Sequence, residues 1–215
     1  MRSKNTDLFN HNNQAGGYDE DVSDESHPIR AGYRRALNWL GSLVPSGSSV
    51  LDLGSGTGNT ILALPADCRV TAVDISDKML DIAKSKLTSW NVEYIKWDLL
   101  EFFNLQPVRR YDAIVSSYAI HHLTDIEKEL LFSLIHSAIK PGGCAVFVDL
   151  MYRNTKQRQK LMEKYRNTPD VYESIEEEFF WNIDLATRIL TEIGFKVTIT
   201  QFSELSFGIL AERQN

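Results

Sequence analysis

The stretch Val50-Leu51-Asp52-Leu53-Gly54-Ser55-Gly56-Thr57-Gly58-Asn59 decides the fold of this chain. It joins a short apolar run to three glycines at alternate positions, and a short helical pattern follows. Glycine admits positive φ and close approach of a ligand to the backbone, and a helix start offers free amide donors. The stretch therefore predicts a strand, a ligand-binding turn and a helix, as in open α/β sheets. Taken alone, the loop is also compatible with a tight turn that binds nothing.

The spacing of the loop narrows the choice of ligand. A dinucleotide fingerprint requires G-x-G-x-x-G/A, and counting from Gly54 places Asn59 at its last position. The Asp52 carboxylate would repel a pyrophosphate, whereas it favours a cationic ligand. A P-loop is excluded because no Lys-Ser or Lys-Thr pair follows the glycines. A nicotinamide-dependent dehydrogenase is therefore the weakest enzyme hypothesis.

Short apolar runs alternate with helical stretches along residues 49–149. This alternation is typical of parallel strands that helices cover on both faces. We expect an α/β fold, namely a doubly wound, Rossmann-like, seven-stranded, mostly parallel sheet with a C-terminal antiparallel hairpin. The expected strands are 49–53, 70–73, 92–96, 111–116, 144–149, 196–201 and 207–210, and the expected helices are 28–43, 76–87, 124–139 and 183–193.

Several helix ends carry recognisable signals. Ser76 is expected to cap one helix, Thr124 and Glu127 form a capping box, and Gly194 ends the last helical stripe. Pro28 suits the first turn of the first helix. The buried face of the helix at 124–139 is expected to contain Ile126, Leu130, Leu131, Leu134, Ile135 and Ala138.

The 215 residues are expected to form a single domain. Residues 1–26 are polar and acidic, and we expect an irregular arm that orders only on docking. The parts of the domain are an arm and helix (1–45), a ligand-binding core (49–149), a variable insert or lid (150–181), and a last helix with the hairpin (182–215).

The composition excludes several broad classes of protein. Hydrophobic residues make up 43% and charged residues 24%, which is typical of a folded domain. The net charge of −6 argues against a general nucleic-acid or anionic-membrane binder. With only Cys68 and Cys144, neither a disulfide scaffold nor a cysteine zinc site is expected. Residues 1–13 are polar, so we expect no signal region and a cytoplasmic protein.

Two further carboxylates follow neighbouring strands of the expected sheet. Asp74 ends the second strand, where it could accept hydrogen bonds from both hydroxyls of a ribose. Its alternative role is a favourable charge at the start of the next helix. Asp98 follows the third strand and could accept from an adenine amine, the alternative being an ordinary loop acid.

The chain resembles the class I S-adenosylmethionine-dependent methyltransferases. The strings that carry this resemblance lie in the order of the family and are VLDLGSGTGN, VTAVDIS, VEYIKWDLLEF, YDAIVSSYAIHHL and IKPGG. A finer resemblance, through HHLTDIEKE and the short tail, is to small bacterial ubiquinone/menaquinone-methylase-like members. The resemblance implies S-adenosylmethionine as the cofactor and no metal. It implies cofactor contacts from Tyr18, Asp52, Gly54, Ser55, Gly56, Gly58, Asp74, Ile75, Met79, Asp98, Leu99 and Ser116.

By this resemblance, Asp52 and the glycines hold the methionine end, Asp74 the ribose, and Asp98 the adenine edge. Tyr18 and Asp19 stand where related enzymes close a Tyr-Asp pair over the cofactor.

The methyl acceptor is expected beyond the fourth strand. His121 or His122 could orient or deprotonate it, and Tyr118 is more readily a wall than a base. The alternative is that one histidine packs beneath the following helix. Adjacent histidines without a third ligand do not predict a metal site.

The charge of the insert changes sign along its length, from basic residues at 153–166 to acids at 170–178. One interpretation is a pair of solvated helix faces. The other is a lid over the acceptor, with Tyr172, Phe179, Phe180 and Trp181 as apolar walls. Acids facing inward would favour a cationic or amine acceptor.

The sequence thus predicts methyl transfer from S-adenosylmethionine to a small-molecule acceptor by in-line displacement, which yields S-adenosylhomocysteine. Membrane partners are not expected. The alternatives are a tRNA-directed or cofactor-modifying member of the same fold, supported only by the basic run, and a cofactor-binding regulator without turnover.

Overall fold

The structure is a computed structural model that describes residues 15–104 and 110–214. The first fourteen residues of the expected arm lie outside the described residues. The helices are α1 Tyr18–Ser23, α2 Tyr33–Ser42, α3 Asn59–Ala63, α4 Asp77–Lys86, α5 Leu99–Phe102, α6 Asp125–Ala138, α7 Thr155–Lys164, α8 Pro169–Glu177 and α9 Ile183–Ile193. The strands are β1 Ser49–Leu53, β2 Arg69–Asp74, β3 Asn91–Lys96, β4 Tyr111–Ser117, β5 Ile139–Tyr152, β6 Trp181–Asn182, β7 Phe195–Gln201 and β8 Ser206–Arg213.

The strands form one mixed sheet in the order β3-β2-β1-β4-β5-β8-β7. Strands β1 to β5 run parallel, and β8 is antiparallel to both β5 and β7. The predicted doubly wound sheet with its closing hairpin is therefore confirmed. The two-residue strand β6, which pairs with β5 beside the main path, is an addition to the seven predicted strands.

Helices cover both faces of the sheet, as parallel strands require. Along β1, Val50 belongs to one apolar cluster, which contains α2 and α8 residues such as Leu40 and Val171. Its neighbour Leu51 belongs to the other cluster, with α6 and α9 residues such as Phe132 and Leu190. Alternate side chains of the strand thus enter opposite layers of the core.

Strand register brings the ends of the central strands to one edge of the sheet. Asp52 is the register partner of Ala72 and Val115 in the flanking strands, and Asp74 is the partner of Lys96. Asp98 follows β3 and Ser116 ends the buried part of β4. The carboxyl edge of the sheet therefore collects most of the residues that the sequence analysis singled out.

The predicted helix caps are confirmed. The Ser76 hydroxyl accepts from the Met79 amide at 3.2 Å. Thr124 and Glu127 make both hydrogen bonds of a capping box, at 3.3 Å and 2.8 Å. Gly194 ends α9 with a φ of 109°.

Three local expectations were wrong. The first long helix begins at Tyr33 rather than at residue 28, because Gly32 takes a φ of 83° that a continuing helix does not allow. Ile126 is 81% exposed, and the buried face of α6 instead includes the side chain of Lys128. The arm is not irregular from residue 15 onward, because a short 3₁₀ turn and α1 occupy residues 15–23.

Across residues 15–104 and 110–214, no helix is both long and apolar enough to cross a membrane.

Candidate active site

The glycine loop approaches the segment after β4 and also borders open space. Gly54 has a φ of 71°, and a Cβ on it would lie 2.4 Å from the Ala119 Cβ. A side chain there would be strained and would collide with its neighbour. Gly56 has a φ of 51°, and a Cβ on it would meet no atom within 4 Å. The loop therefore leaves room for a ligand beside Gly56, while Gly58 caps the start of α3.

Asp52 is a fully buried acid at the start of this loop. Neither of its carboxylate oxygens has a hydrogen-bond partner among the described residues, and the same holds for the buried Ser55 hydroxyl. Burial raises the pKa of Asp52 well above its usual value, and the nearby charge of Asp74 raises it further. Buried polar groups are nearly always hydrogen-bonded, so these atoms point to a polar ligand.

Asp74 fastens the loop to the end of β2. Its Oδ2 accepts from the Gly56 amide and its Oδ1 from the Ser76 amide, each at 2.8 Å. Asp98 caps α5 by accepting from the Leu100 amide at 2.9 Å, a structural role that the sequence did not predict for this acid. Both carboxylates lie at the carboxyl edge.

The remaining predicted cofactor residues lie along the same edge with different degrees of burial. Ile75 and Leu99 are half-buried, whereas Met79 is buried in the first turn of α4. The Ser116 hydroxyl donates to the Leu53 carbonyl at 2.6 Å, so its side chain links β4 to β1. A contact from Ser116 to a ligand would therefore come from its backbone.

The arm docks on the glycine loop through Asp19. One Asp19 oxygen accepts from the Thr57 hydroxyl at 2.6 Å and from the Asn59 amide at 3.0 Å. The other oxygen lies 2.6 Å from the Lys86 ammonium group. Burial would raise the pKa of Asp19, but these hydrogen bonds and the charge of Lys86 hold it below its usual value. Because the arm has these partners, residues 15–23 have an ordered place against the core.

Tyr18 lies beside this docking point. Burial raises the pKa of its hydroxyl to about 12, with the charge of Arg30 opposing and that of Asp74 adding to the effect.

A cavity of about 590 Å³ opens between the arm, the end of β4 and α8. One of its lining residues, Tyr118, precedes Ala119, the neighbour of Gly54 in the glycine loop. Its wall is about equally polar and apolar. The lining residues are Gly17, Tyr18, Asp21, Ile29, Arg30, Tyr118, His121, His122, Leu150, Ser174 and Glu178.

His121 forms a buried pair with Asp149. Its Nδ1 lies 2.5 Å from Asp149 Oδ1, and Asp149 Oδ2 accepts from the Ile120 amide at 2.8 Å. On the other side of the ring, Nε2 lies 3.7 Å from Glu178 Oε2. Burial opposes the charged imidazole, but Asp149 and then Glu178 outweigh it and raise the pKa of His121. The pair thus holds the ring with Nε2 toward Glu178, a residue of the cavity wall.

Sequence reasoning did not identify Asp149, and it named Glu178 only as one of the insert acids that could face the acceptor; of these acids, Glu178 lines the cavity. Asp149 lies at the end of the expected fifth strand, at the same edge as Asp52, and this position was the available signal.

Tyr118 and His122 complete this part of the wall. Tyr118 takes a φ of 49°, unusual for a residue other than glycine. Its hydroxyl lies 2.7 Å from the Ser206 hydroxyl and its ring centroid is 5.2 Å from that of Tyr33. The His122 ring centroid lies 4.0 Å from that of His121. Tyr118 is thus held rigidly, as expected of a wall.

The insert lines the cavity with Ser174 and Glu178, not with its aromatic residues. The expectation of four aromatic walls was wrong. Trp181 is 1% exposed and stacks on Phe132 at 5.1 Å, because β6 carries it into the core. Phe180 is buried in the opposite cluster, and Tyr172 and Phe179 are not among the lining residues.

Some of the basic residues at 153–166 make contacts within the chain. Arg158 donates to the Ile175 carbonyl at 3.0 Å, which joins α7 to α8. Lys164 pairs with Glu204 near the hairpin.

Comparison with known proteins gives consistent results. Residues 50–143 match a family described as "Methyltransferase domain". The chain is 31% identical to an uncharacterized methyltransferase of Anoxybacillus flavithermus, over 97% of each chain. It is 32% identical to the uncharacterized methyltransferase YrrT of Bacillus subtilis, over 87% of this chain and 88% of that one.

Solved structures share the fold. The complex of DhpI with SAH has a TM-score of 0.68 at 23% identity and covers 95% of both chains. Magnesium protoporphyrin IX methyltransferase from Synechocystis, solved with bound SAH, has a TM-score of 0.68 at 17% identity, over 98% of this chain and 100% of that one.

Proposed function

Since this chain belongs to the class I S-adenosylmethionine-dependent methyltransferases, we propose that it methylates a small molecule held in the cavity of about 590 Å³. When bound, the cofactor would supply a methyl group on a sulfonium sulfur. The acceptor atom would bond to the methyl carbon in line with the carbon–sulfur bond that breaks, and S-adenosylhomocysteine would be the leaving group. The protein must position the acceptor and exclude water, since well-oriented reactants gain roughly 7–11 kcal/mol.

The carboxyl edge suits the cofactor. Asp52, buried and without a partner among the described residues, would attract the positively charged methionine end. Asp74 would hold the ribose hydroxyls, in exchange for its present bond to Gly56. Asp98 would accept from the adenine amine, with Ile75 and Leu99 beside the ring.

The backbone at Gly54, Gly56 and Ser116 would lie along this cofactor. Tyr18 would close over it from the arm that Asp19 fastens.

The position of the cavity is the observation that carries the proposal. Its lining residue Tyr118 adjoins Ala119, which contacts Gly54. An acceptor in the cavity would therefore lie next to the methionine end of the cofactor. The volume falls within the roughly 300–1,000 Å³ of small-molecule sites.

His121 is the best candidate for a base in this cavity. The bond to Asp149 fixes its Nδ1, so Nε2 is the nitrogen that would take a proton from the acceptor. The imidazole must be neutral to do so, and its raised pKa delays this state to higher pH. Tyr118 and His122 would serve as walls that orient the acceptor.

The test is a screen of thiols, amines, phenols and carboxylic acids with S-adenosylmethionine, in which S-adenosylhomocysteine release is measured. For an acceptor that loses a proton, we expect His121→Ala to lower turnover by about 10²–10⁴-fold without changing S-adenosylhomocysteine affinity. His136→Ala is the matched control, because this histidine packs on Phe195 away from the cavity. Turnover of tRNA in place of every small molecule would refute the proposal, and unchanged turnover of His121→Ala would remove His121 as the base.

A further inference from the structure

We propose that the acceptor is a small organic acid whose carboxylate binds Arg30, while the atom to be methylated faces His121. This inference rests on the proposed function of the cavity and names its substrate class. It follows from the charges that different elements place around this cavity.

Arg30 is a cation in the cavity wall with donors to spare. It precedes α2, and its side chain is 23% exposed. Among the described residues its guanidinium makes a single side-chain hydrogen bond, to Asp21 Oδ2 at 2.8 Å. A guanidinium carries five N–H donors in a planar fork that matches a carboxylate. Most of its capacity is therefore available to a ligand.

Two tyrosines, Tyr18 and Tyr118, line the same cavity as Arg30. Burial raises the pKa of both Tyr18 and Tyr118, and the charge of Arg30 opposes that rise in each. Asp21, by contrast, has a side chain that is 63% exposed. Asp21 also lines the cavity, and the Tyr118 hydroxyl is engaged with Ser206. The remaining Arg30 donors and the Tyr18 hydroxyl are therefore the groups that would receive an anion.

The wall built by α8 and the 120–122 turn is acidic, in contrast to the wall around Arg30. Glu178 lines it, and Glu178 Oε2 lies 3.7 Å from the imidazole of His121, behind which Asp149 is buried. These two acids would repel a carboxylate from this wall. A molecule with a carboxylate at one end and a proton-bearing nucleophile at the other therefore has one favourable orientation, with its nucleophile toward His121.

The experiment compares carboxylates with uncharged analogues of the same shape. Hydroxybenzoic acids and short aliphatic hydroxy acids, each beside its primary amide, are titrated by calorimetry into the protein with and without saturating S-adenosylhomocysteine. The variants are Arg30→Gln, Arg30→Lys, which keeps the charge, and Arg34→Gln. Arg34 is the matched control, since its side chain is 77% exposed, pairs with Glu25 and does not line the cavity.

We expect carboxylates to bind more tightly than their amides, and Arg30→Gln to weaken only the carboxylates, by about tenfold or more. Arg30→Lys should recover part of this loss, and Arg34→Gln should show none. Amides that bind as tightly as carboxylates, carboxylates that do not bind at all, or an unaffected Arg30→Gln would overturn the inference.

This experiment separates the inference from the proposed function. Carboxylate binding that depends on Arg30, with no turnover of any acid, would support the anion site and count against methyl transfer. Turnover of neutral acceptors alone would support methyl transfer and count against the anion site.

Discussion

Replacing Asp52 by Asn should stabilise the cofactor-free protein while weakening cofactor binding. The side chain is 0% exposed, and neither oxygen has a hydrogen-bond partner among the described residues. Burial, with a contribution from Asp74, raises its pKa well above the usual value, so the folded protein opposes its ionisation. Asparagine keeps the shape and removes the ionisation.

Asparagine also leaves its amide without a partner, so the two proteins differ only in the extra cost of burying a carboxylate charge, which we take as about 1–3 kcal/mol, the range for one unsatisfied buried group. We therefore expect Asp52→Asn to raise the free energy of unfolding at pH 7 by about 1–3 kcal/mol. For a chain of this length, about 2–4 °C per kcal/mol corresponds to a Tm increase of about 2–12 °C. Affinity for S-adenosylmethionine should fall about tenfold or more, because the cation loses its carboxylate.

The raised pKa of Asp52 also determines how the stability difference between the two proteins changes with pH. A group whose pKa is higher in the folded state contributes stability below its unfolded pKa, and that contribution is lost as pH rises through the folded value. Wild-type stability should therefore fall relative to Asp52→Asn as pH rises above about 4.

Urea unfolding of both proteins without cofactor, from pH 4 to 8, measures this difference. Asp81→Asn is the control, since the Asp81 side chain is 70% exposed. A destabilised Asp52→Asn, or a stability difference that does not change with pH, would refute the reasoning.

Three other changes test separate contacts. Gly54→Ala should destabilise the protein by at least about 1–2 kcal/mol in urea unfolding, since its φ is 71° and the new methyl would meet Ala119 at 2.4 Å. Glu178→Gln should shift the rise of the pH–rate profile to lower pH, because Glu178 raises the pKa of His121. Asp19→Asn should lower S-adenosylhomocysteine affinity and speed proteolysis of the arm, because it removes the charge that pairs with an ammonium at 2.6 Å.

A specific result would contradict each of these three predictions. Full stability of Gly54→Ala would contradict the close approach, and adding Ala119→Gly should relieve the collision but not the backbone strain. A profile that moves to higher pH in Glu178→Gln would contradict its charge effect on His121. Unchanged affinity and proteolysis in Asp19→Asn, matching the exposed-site control Glu20→Gln, would contradict docking of the arm.

The strands and the carboxyl edge were predictable because they depend on local patterns. Apolar runs in the sequence predicted strands β1 to β5. Parallel strands have their carboxyl ends at one edge of the sheet, independently of how the helices pack. The positions of Asp52 and Asp74 at this edge could therefore be predicted without knowing any side-chain contact. The capping box of Thr124 was likewise predictable, since its two hydrogen bonds span three residues.

The acceptor wall was harder to predict because it depends on contacts distant in sequence. The partner of His121 is 28 residues away, and Glu178 reaches the same ring from the insert. Trp181 looked like a lid residue, but β6 pairs with β5 and buries it.

Lys128 shows the same limit on α6. Its helical position predicts an exposed charge, yet it is 0% exposed and donates to the Phe179 carbonyl. Burial lowers its pKa to about 8. The apolar stripe therefore identified Leu131, Ile135 and Ala138 on the packed face of α6 but not Lys128.

The central claim is that the carboxyl edge binds S-adenosylmethionine through Asp74. Calorimetric titration of S-adenosylhomocysteine into the wild type, Asp74→Ala and the exposed-site control Asp77→Asn tests it most directly. We expect one site in the wild type and in Asp77→Asn, an affinity at least about tenfold lower in Asp74→Ala, and no binding of NAD. Binding of NAD without S-adenosylhomocysteine, or an unchanged affinity in Asp74→Ala, would contradict the claim.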